Sequence, residues 1–365
     1  MSRFRPVFRL NPAARSAAGA SPSLSPSAGR RGVVRQAGRL LVLGAALAMG
    51  SLSANVATAA TTSVKIGTVV WIGYAPFYVA EALDLFKKYN LKVNLQVFSD
   101  PALIPTAIES GALDGGMLTY DQVIGRDALG KTLKVVMPID YSNGGDAILA
   151  TTAITKVSQF KGKKVGYNPL SPSDFLLAYA LKKNGLSDKD ISSVSLTPEA
   201  VPAAMASGQM PIGVTYEPSV SQILGQGGGK KFHVVFSSKD APGLIADVLV
   251  YDDKAIKAKP EQIKAVIQGY LDGMAYIKAK PDEAAAIVGK VMGISAKEVK
   301  EQMSGVYNIP LAEMGKAFEK GKDTTSYYVS GDIISTLLKA KGQISTVPAT
   351  EATIAPQFVK ALAGK

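Results

Sequence analysis

Three short loops and two strand ends carry the side chains best suited to holding a small molecule. Trp71-Ile72-Gly73-Tyr74-Ala75-Pro76 contains the single tryptophan of the chain, in a turn with a glycine and a tyrosine. Aromatic rings there offer a flat apolar wall, and the indole N–H and phenol O–H can orient a polar ligand. The alternative is an aromatic pair that caps a core. Asp140-Tyr141-Ser142-Asn143-Gly144-Gly145-Asp146 gathers small hydrogen-bonding groups, notably Ser142, Asn143 and Asp146. Its two glycines let backbone come close to a ligand, although the same stretch would also make a tight turn. In Asn168-Pro169-Leu170-Ser171-Pro172-Ser173-Asp174, Ser171 fits a helix N-cap, with Pro172 at the first helical position and Asp174 three residues on. The N–H groups of such a turn, with Ser171 and Ser173, also suit an anionic or carbonyl group. Glu217 and Asp247 lie at strand ends, where a carboxylate accepts from an ammonium, amidine or ring N–H, or latches two lobes; for Asp247 the latch is preferred.

One phrase occurs twice. Ser110-Gly111 runs through Asp114-Gly115-Gly116-Met117 to Thr119-Tyr120-Asp121, and Ser207-Gly208 runs through Ile212-Gly213-Val214 to Thr215-Tyr216-Glu217. The match needs a one-residue gap and is interrupted by Met210-Pro211. It predicts two similar α/β lobes, each presenting a polar corner at the carboxyl end of a strand, where ligands of open α/β sheets sit. Thr119, Tyr120 and Asp121 would form one jaw of a cleft, Tyr216 and Glu217 the other.

The elements that must position these groups follow from periodicity and breakers. Strands are expected at Val64–Val70, Leu91–Phe98, Asp114–Leu118 and Leu133–Ile139, with helices at Pro76–Tyr89, Pro101–Ser110 and Tyr120–Leu129. This strict alternation predicts a parallel sheet with helices on both faces. It restarts with strands at Lys163–Tyr167, Ser193–Leu196 and Ile212–Thr215, helices at Pro172–Asn184, Ala200–Ser207 and Pro218–Leu224, and a strand around His233 after the Gly227-Gly228-Gly229 turn. Extended crossings near Ala147–Thr151 and Leu244–Tyr251 would form a hinge. From Pro260 the pattern is helical, with breaks expected at Pro281, Gly293, Pro310 and Gly331, and amphipathic helices that pack back onto the first lobe.

Composition removes several chemistries. The first 59 residues hold eight arginines and no acid, followed within them by the apolar run Leu40–Met49 and the small-residue stretch ending near Ala57-Thr58-Ala59. This is the layout of an export signal cleaved near Ala59, with Arg30-Arg31 leaving a twin-arginine route open. An apolar run of about ten residues falls short of the roughly 20 needed to span a bilayer. The chain carries +12 in all and the leader +8 of it, leaving +4. The basic balance therefore says little about nucleic acid, and none is expected as a partner. With no cysteine and one histidine there is no thiolate site, disulfide, His-cluster metal site or obvious acid–base relay. No P-loop, nucleophile elbow or G-x-G-x-x-G turn is present. No cofactor, metal or catalytic residue is expected.

Together these residues resemble the solute-binding proteins of nitrate, sulfonate and taurine-type ABC importers, a group that also contains pyrimidine-precursor binders. Trp71–Pro76, Leu91-Lys92-Val93, Ser110-Gly111-Ala112-Leu113-Asp114, Asp140–Asp146, Thr215-Tyr216-Glu217-Pro218 and Pro242-Gly243-Leu244-Ile245 carry the likeness, in order along the mature chain. The resemblance implies a two-lobed type II periplasmic binding fold: leader 1–59, first lobe 60–150, second lobe 151–246, and a return to the first lobe over 247–365. It implies a monomer in the periplasm that captures a small nitrogen- or sulfur-containing solute and delivers it to a permease with its ATPase, without being an enzyme. A pyrimidine-precursor binder or enzyme of the same fold is the alternative. Where the family usually has a glycine before the Phe of the first helix, this chain has Asp84-Leu85-Phe86. Arg126 is the only arginine after the leader, and the candidate loops hold acids and tyrosines instead. Sulfonate and nitrate favour guanidinium forks; the loops point to a neutral or cationic nitrogen-containing solute.

Overall fold

Alternating β-rich residues open the folded chain as β1 (Thr62–Thr68), whose inward positions Val64 and Ile66 are fully buried. The computed structural model describes residues 61–364; the expected export leader lies outside them. After β1 come α1 (Ala75–Ala82), β2 (Leu91–Val97), α2 (Ile104–Glu109), β3 (Gly115–Thr119), α3 (Tyr120–Asp127) and β4 (Leu133–Ser142). The second series is β5 (Asp146–Thr151), β6 (Lys164–Tyr167), α4 (Pro172–Lys183), β7 (Ser192–Ser195), α5 (Val201–Ala206), β8 (Ile212–Tyr216), α6 (Ser219–Gly225) and β9 (Phe232–Ser237). Then follow β10 (Ala246–Asp252), α7 (Asp253–Ala258), α8 (Pro260–Ala279), α9 (Pro281–Met292), α10 (Ala296–Met303), β11 (Val306–Asn308), α11 (Leu311–Ala317), α12 (Tyr327–Ala340) and α13 (Gln357–Ala363).

The strands form two sheets, ordered β11-β4-β10-β3-β1-β2 and β7-β6-β8-β5-β9. In each, the strands of one βαβ series run parallel, as the alternation predicts. The first sheet also takes two antiparallel strands, β10 and β11, and the second takes one, β5, so neither is purely parallel. β10 lies between β3 and β4, and β5 lies between β8 and β9. The segments expected as hinge crossings are therefore buried strands. The chain passes between sheets just before them, at 143–145 and 238–245. Every residue of β10 from Ala246 to Tyr251 is buried, and at about 1.5–3 kcal/mol per fully buried large apolar side chain this strand is a main tie within the first sheet.

Three local departures have physical reasons. The expected helix Pro76–Tyr89 stops at Ala82 because Asp84 takes a left-handed conformation (φ 53°), after which Leu85–Tyr89 forms a 3-10 turn. Aspartate tolerates that region better than most residues, and a glycine at this point would serve the same turn. Gly331 does not break the C-terminal helices; it lies inside α12 with the Tyr120 ring beside it. β11 is a three-residue edge strand on β4 amid helices, too short to read from periodicity. The C-terminal helices do return to the first sheet: Tyr89 donates to Asp272, and Val135 bridges to Ile354.

Candidate functional site

The carboxyl ends of β1 and β3, the end of β4 and the start of β10 face β8, β5 and the start of α4 across a cleft of about 340 Å³. Trp71, Tyr74, Thr119, Asp146 and Tyr216 line it, as the loops predicted, together with Gln122, Ile245 and Asp247. Trp71 follows β1 and Tyr216 ends β8, so one ring comes from each sheet. They meet edge-on, with centroids 5.9 Å apart and planes at 85°, the geometry that the aromatic quadrupole favours.

The Trp71 indole is held from several sides. Its Nε1–H lies 3.4 and 3.3 Å from the two Asp140 oxygens, and its backbone N–H donates to the Tyr78 hydroxyl at 3.1 Å. Two glycines make room for it. A Cβ at Gly73 would come within 2.1 Å of Asp140 Oδ2 and 2.4 Å of Trp71 Nε1, and one at Gly145 within 2.5 Å of the ring. β11 and the residue before it brace both glycine loops: Asn308 Nδ2 donates to Gly73 O at 2.7 Å, while Asn143 and Gly145 N–H both donate to Gly305 O.

Three buried carboxyl groups surround this aromatic pair. Asp247 accepts from the Tyr74 hydroxyl at 2.5 Å and stands opposite Asp140 in the β10–β4 register. Burial pushes the Asp140 carboxyl up to about 8, the Trp71 N–H opposing it, and pushes Asp146 up to about 7. Asp247 is raised well above the usual carboxylate range by burial and then by Asp140. None of the residues lining the cleft is basic. Near neutral pH Asp140 and Asp247 favour their protonated form and Asp146 is about half ionised, and a cation entering would draw all three to their charged form. Among the described residues no group of three or more His, Cys, Asp or Glu is arranged to hold a metal ion.

The remaining predicted residues are distributed around this centre. Ser142 hydroxyl pairs with Ser238 at 2.8 Å and accepts from Asp146 N–H, setting the first crossing; Asn143 is exposed. Ser171 caps α4, accepting from Ser173 N–H and donating to Asn168 O, while Ser173 Oγ is buried without a partner. Asp121 and Ser171 border a second cavity beside the cleft. Tyr120 turns away to Thr353 and Tyr327, and Glu217 accepts from the N–H and hydroxyl of Ser221 in α6. Register explains the asymmetry. Gly115 and Ile212 hold equivalent places beside β1 and β6, which aligns Thr119, not Tyr120, with Tyr216. A one-residue offset reverses the side on which a strand-end residue points. Asp140 and Gln122 were not singled out for the site, and Asp247 was read mainly as a latch; the signal was an acid inside an otherwise apolar strand. His233 lies on β9, outside the cleft lining.

A family model described as NMT1/THI5 like matches residues 71–284. The chain belongs to the NMT1/THI5-like family. Among curated relatives it is similar to a putative binding protein of Brucella abortus, 22% identical over 293 residues, which is 80% of this chain and 90% of the relative. Among solved structures it resembles the periplasmic aliphatic sulphonate-binding protein SsuA of Escherichia coli, with 19% identity, TM-score 0.66, and coverage of 82% of this chain and 99% of that one. The family's two-lobed periplasmic-binding fold is thus the fold of this chain. The same fold also carries an enzyme: the desulfurization enzyme DSZB aligns with TM-score 0.56 and 11% identity over 82% of this chain and 98% of that one. No helix among the described residues is long and apolar enough to cross a membrane.

Proposed function

We propose that this NMT1/THI5-like protein is the exported, monomeric solute-binding component of an ABC importer. In this reading it captures a small neutral or cationic nitrogen-containing molecule in the periplasm. The observation that carries the reading is the Trp71–Tyr216 contact between the two sheets, directly over Asp140, Asp146 and Asp247, with no basic side chain in the lining. A flat nitrogenous ring or alkylammonium group would lie against the aromatic rings and pair with the carboxylates. Because the two rings belong to different sheets, a solute between them stabilises the closed arrangement, and the closed shape is what a permease would engage. Anionic solutes such as sulfonates meet two lining acids, Asp146 and Asp247, and no guanidinium here. Arg126 is already paired with Glu109 by two hydrogen bonds of 2.7 and 2.5 Å. The lining holds no serine, cysteine, lysine or histidine, which favours capture over catalysis.

A thermal-shift and calorimetric screen tests this. Amines, amidines and aminopyrimidines are compared with taurine, nitrate and alkanesulfonates. A bound solute at 100 times its Kd adds about 2.7 kcal/mol. Nitrogenous cations should raise the melting temperature, and their affinity should rise between about pH 6 and 8 as Asp146 and Asp140 ionise. Stabilisation by sulfonates or nitrate alone, or turnover of any added compound, would overturn the reading.

A further inference from the structure

Asp121, the second residue of α3, is 5% exposed, and its Oδ1 has no hydrogen-bond partner. It borders a cavity of about 610 Å³ that adjoins the aromatic cleft, with Gln122 lining both. The Gln122 amide is the partition. Its Oε1 accepts from the Thr119 N–H and hydroxyl, and its Nε2 reaches Pro101 O at 3.4 Å and Leu170 O at 3.3 Å. The amide thus ties α3 of the first sheet to the loop before α4 of the second.

The other charged groups of this cavity are satisfied. Arg126 is engaged by Glu109, and Asp174 accepts from Lys341 Nζ at 2.9 Å and Gln343 Nε2 at 2.7 Å. Much of the remaining wall is apolar, formed by Pro105, Leu129, Leu170, Phe175 and Leu338. The Thr119 hydroxyl and the N–H groups at the start of α3 support this carboxylate, yet burial disfavours its charge and Oδ1 is left open to a cation. The complement of this pocket is an ammonium on an alkyl chain, which satisfies the acid with its head and the walls with its methylenes.

We infer that the outer cavity is a second subsite for a protonated amine, so that the preferred solute is an elongated dication whose far nitrogen pairs with Asp121. This rests on the reading of the inner cleft as a site for a nitrogenous cation. One nitrogen lies by the aromatic pair and the three inner acids; the other passes the Gln122 partition.

Calorimetry on the purified chain tests it, with a homologous series of α,ω-diaminoalkanes against n-alkylamines of matched length. At least one diamine should bind about tenfold or more tightly than its monoamine. Asp121→Asn, whose melting temperature checks its fold, should bring the two affinities together. Asp121→Glu, which keeps the charge but advances it, should move the optimum to a shorter diamine. If monoamines match diamines at every length, or Asp121→Asn leaves their ratio unchanged, the subsite is overturned while the inner cleft stands. If neither series binds the wild-type chain, both readings fall.

Discussion

Asp140 and Asp247 face each other on adjacent antiparallel strands, two buried carboxyl groups bracketed by Trp71 on one side and Tyr74 on the other. An acid whose pKa is raised on folding binds an extra proton in the native state, so stability falls as pH rises from the unfolded to the folded value. Here that window runs from about 4 up to about 7 for Asp146 and about 8 for Asp140. Unfolding free energy should therefore decline between about pH 5 and 7, by as much as about 1.4 kcal/mol per pH unit for each retained proton, and the melting temperature with it. Asp140→Asn should flatten that slope by at least one proton's worth, and an unchanged slope would remove Asp140 from this role.

Because Trp71 is the sole tryptophan, the emission of the whole protein reports on the cleft. Solute binding should shift it at concentrations that track calorimetric saturation. Trp71→Ala would leave a cavity costing about 3–5 kcal/mol, which confuses packing with binding. Trp71→Phe keeps a ring but loses the bond to Asp140, and should weaken solute binding about tenfold or more with a smaller loss of stability. Unchanged affinity would take the indole out of recognition.

Gly73→Ala should destabilise by about 1–3 kcal/mol and reduce binding, since the added methyl would overlap Asp140 Oδ2 and the indole nitrogen. Gly315→Ala is the contrast. Gly315 sits within α11 with open space around it, so alanine there should stabilise by up to about 1 kcal/mol. Chemical denaturation of the two variants side by side decides whether close approach is the operative constraint at Gly73.

Lys341, at the end of α12, reaches Asp174 on α4 at 2.9 Å and also pairs with Asp188, with little of its side chain exposed. Removing one member of a buried pair leaves the other uncompensated, so Lys341→Ala should cost about 3 kcal/mol. The double variant with Asp174→Ala should cost less than the two single losses combined. Additive losses would mean the contact does not couple the second sheet to the C-terminal helices.

Much of this arrangement was readable where local chemistry decides it. The Ser171-Pro172 start of α4 follows from capping, and Gly111 and Gly208, with φ of 75° and 80°, end α2 and α5 as the repeated Ser-Gly phrase implied. What failed depended on partners distant in sequence. The Thr-Tyr-acid triplets matched as letters, but register makes Thr119 the counterpart of Tyr216 and leaves Tyr120 turned toward Tyr327. The acids at 140 and 247 looked like ordinary strand-end residues, because their proximity exists only once β10 enters between β3 and β4. Gly331 was read as a breaker, whereas it lies inside α12, whose packing beside Tyr120 is tertiary.

That late insertion of β10 sets an order of assembly. Residues 146–237 contain every strand of the second sheet, so it can close as a local unit while the ribosome is still at work. The first sheet has a gap between β3 and β4 until more than a hundred further residues have been made, and its helical cover comes later still. A nascent chain of this protein therefore carries an unfinished half with open strand edges for most of its synthesis. Holdase chaperones would have their longest access to residues 62–142.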